Sequence, residues 1–255
     1  MTKIFFPNSK APSIGDKLIQ SDLANTFKRM IEVERANSNM GREGAIQSVR
    51  DYFYKGEIGK QIVAFCQENG GLLTENDMAE FQVEIEKPTK GNYKGIDVFT
   101  CGPWCQGPVV IETLHILESF NLRDMGHNSA DYIHTVIEAL KLSFADREFF
   151  FGDPNFIDVP MQALMSKAYS EMRKTKIDLK KASPAMPAPG DPSEYQTESF
   201  LQPPSHPSHK PGGIETDTSY TCVVDRWGNA FSATPSDGIG GTPIVPGLGF
   251  ITSSR

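Results

Sequence analysis

Apolar residues recur every three or four positions from residue 21 to residue 54. Leu23, Phe27, Met30 and Ile31 share a face, and this spacing predicts helix with Ser21 as its N-cap. A second helix is predicted over 57–69 on Ile58, Ile62, Val63, Phe65 and Cys66, stopped by Gly70-Gly71. Thr74 reads as the cap of a short helix, with Asp77 in the acidic third position. The period then falls to two: Phe81, Val83 and Ile85 alternate with Gln82, Glu84 and Glu86. That predicts a strand, and Tyr93, Ile96, Val98 and Thr100 predict its return. After a Gly/Pro-rich loop at 101–108, a helix is expected over 107–121 on Val110, Leu114, Ile116, Leu117 and Phe120. The clearest helix runs over 129–151, capped by Ser129, with Tyr132, Ile133, Val136, Leu140, Phe144 and Ala145 as its buried stripe. Gly152-Asp153-Pro154 ends it. Residues 183–213 hold eight prolines and read as a linker or mobile segment. Beyond them, a β-rich run at 219–225, a turn at Arg226-Trp227-Gly228-Asn229 and a strand over 230–234 predict a hairpin.

Composition narrows the class. The chain has 255 residues, 38% hydrophobic and 22% charged, which excludes disordered, collagenous and coiled-coil chains. Net charge is −7 with no Lys/Arg block, so a nucleic-acid footprint is not expected. The best apolar run, 107–117, contains Glu112 and His115, so no membrane span is predicted. The first ten residues lack an apolar core of about 7–15 residues and a small-residue cleavage site. They do not read as a signal peptide, and the compartment is left open between cytoplasm and periplasm or exterior. The four cysteines are too scattered for a disulfide scaffold. Cys101 and Cys105 lack a second ligand pair, so they read as buried or free thiols rather than a zinc site.

Few residues offer chemistry. His134, Glu138 and Lys141 share a helix face, and a metal-dependent hydrolase built on His134 and Glu138 is one reading. The helix lacks the second His that a metal pair needs, so a structural cluster with Glu138 pairing Lys141 or Arg147 is the plainer one. Asp146-Arg147 and Gly152-Asp153-Pro154 read as helix-end ion pairs, and His206 and His209 as solvated loop residues. The glycines at 238, 240, 241, 247 and 249 fit neither dinucleotide nor P-loop spacing, and serve tight turns. Thr218 stands apart. It follows the Pro-rich segment and immediately precedes the predicted hairpin. Cleavage before it would leave a threonine whose α-amine, with a pKa of about 8, could deprotonate its own hydroxyl. The alternative is an ordinary threonine before a strand.

An ordered set of motifs separates these readings. Thr218-Ser219-Tyr220-Thr221-Cys222-Val223-Val224-Asp225, followed by Gly228-Asn229-Ala230, resembles the small-subunit start of the γ-glutamyltransferase family. Upstream, in the family's order, come Tyr54-Lys55-Gly56, Gly70-Gly71-Leu72-Leu73-Thr74 with Asp77, and Pro88 with Tyr93-Lys94-Gly95. The loop Gly102-Pro103-Trp104-Cys105-Gln106-Gly107-Pro108 follows, then His134, Glu138-Ala139, Lys141, Phe144-Ala145-Asp146-Arg147 and Gly152-Asp153-Pro154.

The resemblance implies an α+β fold, the four-layer α/β/β/α sandwich of N-terminal-nucleophile hydrolases, matured by self-cleavage between Asp217 and Thr218. It implies a large-subunit-like region over 1–182, a mobile linker over 183–217 and the start of a small-subunit-like catalytic region over 218–255. Thr218 would be the nucleophile, and Ser236 the hydroxyl that hydrogen-bonds it. Substrate contacts would fall on Thr234, Gly238, Ser253, Ser254 and Arg255. No cofactor or metal is implied. The partners would be a small amide or γ-glutamyl substrate and the two subunits for each other.

Three places depart from the family: its Asn-Asn pair near the end of the chain reads Ser253-Ser254, and two further positions differ. Gly238 stands where the family has an Asn that recognises the substrate α-amine, and Arg255 suits a carboxylate better than an ammonium group. Classical glutathione specificity is therefore not expected. An oxamate- or cephalosporin-acylase-like substrate and a non-catalytic relative are the alternatives. The family's substrate-carboxylate Arg and its oxyanion donors fall outside the chain, which alone is expected to be inactive.

Overall fold

The computed structural model describes residues 2–197, 218–235 and 242–252. The chain divides into two units, Met1–Glu84 with Pro211–Arg255, and Ile85–Lys210.

In the first unit a single turn, α1 (Thr2–Phe5), precedes α2 (Ser21–Ala36), α3 (Gly41–Tyr54), α4 (Glu57–Glu68) and α5 (Glu75–Glu80). The helical stretch expected over 21–54 is thus two helices. Asn37 ends the first because its side-chain amide donates to Val33 O at 2.9 Å. A 3-10 turn, Ser38–Met40, follows, and Gly41 at φ +75° redirects the chain. Ser21 is the first helical residue, not the cap. The capping position falls to Gln20, whose side chain makes no cap bond. Thr74 does cap α5: Asp77 N donates to Thr74 Oγ1 at 3.2 Å, and Thr74 N donates to Asp77 Oδ2 at 2.8 Å.

The core of this unit is Ile58, Ile62 and Val63 of α4, Met78 of α5, and Val245 and Leu248 from residues 242–252. That late segment is pinned by Thr26 Oγ1, which donates to Leu248 O at 2.9 Å from a buried position. Gly249 sits at φ +78°, and a Cβ there would lie 2.2 Å from Leu23 N. Gly249→Ala therefore strains the backbone and forces the segment off α2. Urea unfolding is expected to show a loss of about 1–3 kcal/mol; a midpoint unchanged from wild type would contradict this packing.

The second unit opens with an antiparallel hairpin of β1 (Thr89–Tyr93) and β2 (Ile96–Thr100). The returning strand lies where expected, but its partner is 89–93 rather than 81–86. Lys94 at φ +48° and Gly95 at φ +88° form a two-residue turn, and that turn fixes the register. Phe81, Val83 and Ile85 stay outside any strand, with Ile85 fully exposed.

Next come α6 (Gly107–Leu117), α7 (Leu122–Met125), the long α8 (Ala130–Phe150), α9 (Met161–Leu164) and α10 (Lys167–Lys174). α6 is buried almost all round, so Val109 and Ile111 are core while Val110 faces out. Gly91 permits this close packing, because a Cβ there would lie 2.4 Å from Ile111. Ser129 caps α8 through its Oγ, which accepts from Tyr132 N at 3.1 Å. The buried face of α8 shares only Ala145 with the predicted stripe. It carries Thr135, Glu138, Ala139, Leu142, Ser143, Ala145 and Asp146, while Ile133 is 44% exposed. Small and polar residues face inward because α6 lies close, with Thr113 Oγ1 donating to Ser143 Oγ at 3.0 Å.

The described residues are mixed helix and sheet. Their strands form two separate two-stranded sheets, the second being the hairpin of β3 (Thr221–Val224) and β4 (Ala230–Ala233). Among them, no helix is long and apolar enough to cross a membrane.

Candidate functional site

Thr218 is exposed and lies three residues before β3, at the open end of the second hairpin. Thr221 pairs with Ala233, Cys222 with Ser232, Val223 with Phe231 and Val224 with Ala230. Beyond the strands the ladder continues, with Ser219 N donating to Pro235 O at 2.9 Å. The closed end is built by Asp225. Its Oδ1 accepts from Trp227 N and Asn229 N, both at 2.9 Å, and its Oδ2 accepts from Asn229 Nδ2 at 2.8 Å. Asn229 and the turn amides hold this carboxyl below its usual range. Gly228 takes φ +86°. These bonds are the physical content of the Asp225-x-x-Gly228-Asn229 motif: a carboxylate saturated by turn donors, a glycine for the left-handed step, and an amide that closes the ring. Every residue of the two strands except Ala233 is exposed. Thr234 is exposed on the same hairpin. Asp217, Ser236, Gly238, Ser253, Ser254 and Arg255 lie outside the described residues, as do His206 and His209.

The His134–Glu138–Lys141 face has a different task from metal binding. Lys141 Nζ donates to Glu138 Oε1 at 2.7 Å and to Ser183 O at 2.8 Å. Glu138 Oε2 accepts from Ser183 N at 3.2 Å, and His134 Nε2 meets Asp178 O at 2.7 Å. Burial pushes the Glu138 carboxyl up, but Lys141 and Ser183 outweigh it and leave it below the usual range. One face of α8 thus straps residues 178–183 along its length. The strap continues to Gly190, whose N–H donates to Asp146 Oδ1 at 2.6 Å. Residues 183–190, the start of the Pro-rich stretch, are therefore hydrogen-bonded in place. Among the described residues no group of three or more His, Cys, Asp and Glu could hold a metal ion.

Asp146 was expected to pair locally with Arg147. Instead Arg147 pairs with Glu148, and Asp146 is fully buried. Its Oδ2 lies 2.9 Å from Arg173 Nε and accepts from Tyr169 OH at 2.9 Å. Arg173 Nη2 donates to Leu142 O at 3.2 Å and to Ala188 O at 3.1 Å. Beside this network sits Glu112, also fully buried, with no donor to either carboxyl oxygen. Burial, then the Asp146 carboxylate, pushes the Glu112 carboxyl well above its usual range, which favours its protonated form. Sequence reading missed both Glu112 and Arg173; the only signal was a Glu inside an otherwise apolar helix.

A raised folded-state pKa gives stability that is complete below the unfolded value of about 4.3 and is lost as pH rises toward the folded one. Glu112→Gln removes that loss. Its stability relative to wild type is expected to rise with pH above 4.3, by up to about 1.4 kcal/mol per pH unit. Urea midpoints from pH 4 to pH 8 that stay parallel for the two proteins would refute the buried-proton assignment.

These features define a mixed helix-and-sheet chain with an exposed threonine on a rigidly turned hairpin. The chain belongs to the gamma-glutamyltranspeptidase family, whose model matches residues 1–255. A glutathione hydrolase proenzyme of Bacillus subtilis subsp. natto is 33% identical over 256 residues, covering 99% of this chain and 40% of the relative. An acylase ACY 1 proenzyme of Pseudomonas sp. strain SE83 is 29% identical over 257 residues, covering 100% of this chain and 40% of the relative. The solved structure of LmbA2991T421A superposes with a TM-score of 0.82 at 31% identity, over 100% of this chain and 44% of its own. The chain thus spans about 40% of the length of these curated relatives.

Proposed function

We propose that this chain supplies the nucleophile of an acyl-transfer or amide-hydrolysing enzyme, and that Thr218 is that nucleophile. The Thr218 hydroxyl attacks the Asp217 carbonyl and the acyl group shifts from nitrogen to oxygen. That shift breaks the peptide C–N bond and frees the α-amine of Thr218; water then opens the ester, releasing the Thr218 hydroxyl and the Asp217 carboxylate. That amine then serves as the base when the hydroxyl attacks a substrate acyl group, and water or an amine discharges the acyl-enzyme. On this reading residues 1–182 belong to the large subunit, 183–217 to a linker and 218–255 to the small subunit, which stay paired after cleavage. The β3–β4 hairpin contributes to a four-layer α/β/β/α sandwich. Ser236 hydrogen-bonds the nucleophile, and Thr234, Gly238, Ser253, Ser254 and Arg255 face the substrate.

The observation that carries the reading is the hairpin register. Ser219 N donates to Pro235 O at 2.9 Å, so the ladder of β3 and β4 runs on to the residue that follows Thr218 and holds the chain just beyond it. Intact mass of the purified, incubated full-length protein tests it. Two species meeting between Asp217 and Thr218 are expected; one uncut species, stable for days, would favour a relative without the chemistry.

The second reading concerns substrate. Gly238 and Arg255 favour an acyl group ending in a carboxylate without an α-ammonium, and one relative is an acylase proenzyme. γ-Glutamyl and glutaryl p-nitroanilides differ only by that ammonium. A higher kcat/KM for the glutaryl compound would support the acylase reading; the reverse order would return the protein to γ-glutamyl substrates.

A further inference from the structure

The loop before α6 carries a thiol pair that the proposed chemistry does not use. A turn closes it, with Cys105 N donating to Gly102 O at 3.2 Å. Gly107 tightens it further: a Cβ there would lie 2.5 Å from Cys101 O. Gly107 thus lies against both cysteines, close to the Cys101 backbone and with its N–H on the Cys105 sulfur. Cys105 is half-buried. Its Sγ donates to Gly102 O and accepts from Gly107 N, both at 3.4 Å. Cys101 is exposed, and both are free thiols. Cys222 faces Ser232 in the hairpin, and Cys66 lies against Gly71.

We propose that Cys101 and Cys105 are a redox modification site, converted to a reversible disulfide within the loop by small-molecule disulfides. The order of events follows from exposure. The accessible Cys101 thiolate attacks one sulfur of the small disulfide, breaks its S–S bond and expels one thiolate. A mixed disulfide forms on Cys101. The Cys105 sulfur then attacks the Cys101 sulfur and expels the second small thiol, its own proton passing to solvent or to that leaving group. Two protein thiols are oxidised and one small disulfide is reduced to two thiols. Burial raises the Cys105 thiol above its ordinary pKa, as do the nearby Cys101 and Glu86, while the Gly107 amide opposes them. Cys105 is thus the slower, resolving partner and Cys101 the entry point. The product closes the loop on itself two residues before α6 begins. Trp104, whose Nε1 donates to Glu86 Oε2 at 3.0 Å, lies between the two sulfurs in sequence and reports on the change.

The test uses the 255-residue chain, reduced, then incubated with glutathione disulfide, quenched with iodoacetamide and digested with trypsin. Two of the four thiols are expected to escape alkylation. The peptide that holds both Cys101 and Cys105 should be lighter by two hydrogen atoms, and dithiothreitol should restore all four sites. Cys105→Ser should stop at the mixed disulfide on Cys101. Full alkylation of all four thiols after treatment, a crosslink through Cys66 or Cys222, or a wild-type chain that stops at the mixed disulfide would each overturn the proposal.

Discussion

Thr218→Ala in the full-length protein will leave one uncut chain and lower turnover by about three to six orders of magnitude, the scale seen when an enzyme loses its nucleophile. The reasoning is stepwise. Alanine has no hydroxyl, so no ester forms with the Asp217 carbonyl. The peptide bond therefore persists, and with it the amide that would otherwise be the free α-amine. Maturation and catalysis fail together because one side chain serves both. Thr218→Ser separates them from folding: it keeps the hydroxyl and should still cleave, more slowly. The hairpin itself should be untouched in either variant, because position 218 lies outside the paired strands and is exposed. Unchanged amide-exchange protection at residues 221–224 and 230–233 is the control. An alanine variant that still cuts itself between 217 and 218 would remove Thr218 from the mechanism.

The largest stability effect is expected at Arg173. Its guanidinium is 3% exposed and faces an Asp146 carboxylate with no exposure at all. Arg173→Met leaves that carboxylate buried beside Glu112 with no cation, which should destabilise the chain by about 3–5 kcal/mol in urea. It also removes the donor to Ala188 O, so the strap loses an anchor. Arg173→Met combined with Asp146→Leu should recover much of the stability, since both charges go together. A single variant within about 0.5 kcal/mol of wild type would show that the pair is not buried as described.

What could be read in the amino-acid order was local. Thr74 with Asp77, Ser129 before α8 and the turn at Asp225 each depend on side chains bonding to backbone within four residues, and each was found. The failures are pairings over distance. The alternation at Phe81, Val83 and Ile85 is a valid strand pattern, but the tight Lys94-Gly95 turn commits the strand after it to residues 89–93. Asp146 was assigned to its neighbour Arg147 because nothing in a linear pattern points to Arg173, two helices further on in α10. The buried faces of α6 and α8 were misjudged for a related reason. Apolar periodicity locates a hydrophobic stripe, whereas these helices meet over Thr113, Ala139 and Ser143, where small size matters more than hydropathy. For the candidate site, the hairpin that carries Thr218 was legible because it closes on itself. Ser236, Gly238 and the three residues 253–255 rest on resemblance alone.

The β3–β4 hairpin also bears on how the chain behaves in a tube. Each strand is four residues long, neither contains Lys, Glu or Pro, and Val223, Val224 and Phe231 are all more than half exposed. Among the described residues these strands pair only with each other and neither holds a charged residue, which makes them a template for edge-to-edge pairing. Either another segment completes this sheet, or a second copy does. A preparation of this chain should therefore lose solubility with rising concentration through that edge, and a lysine placed at Val223 should relieve it without touching either helical core.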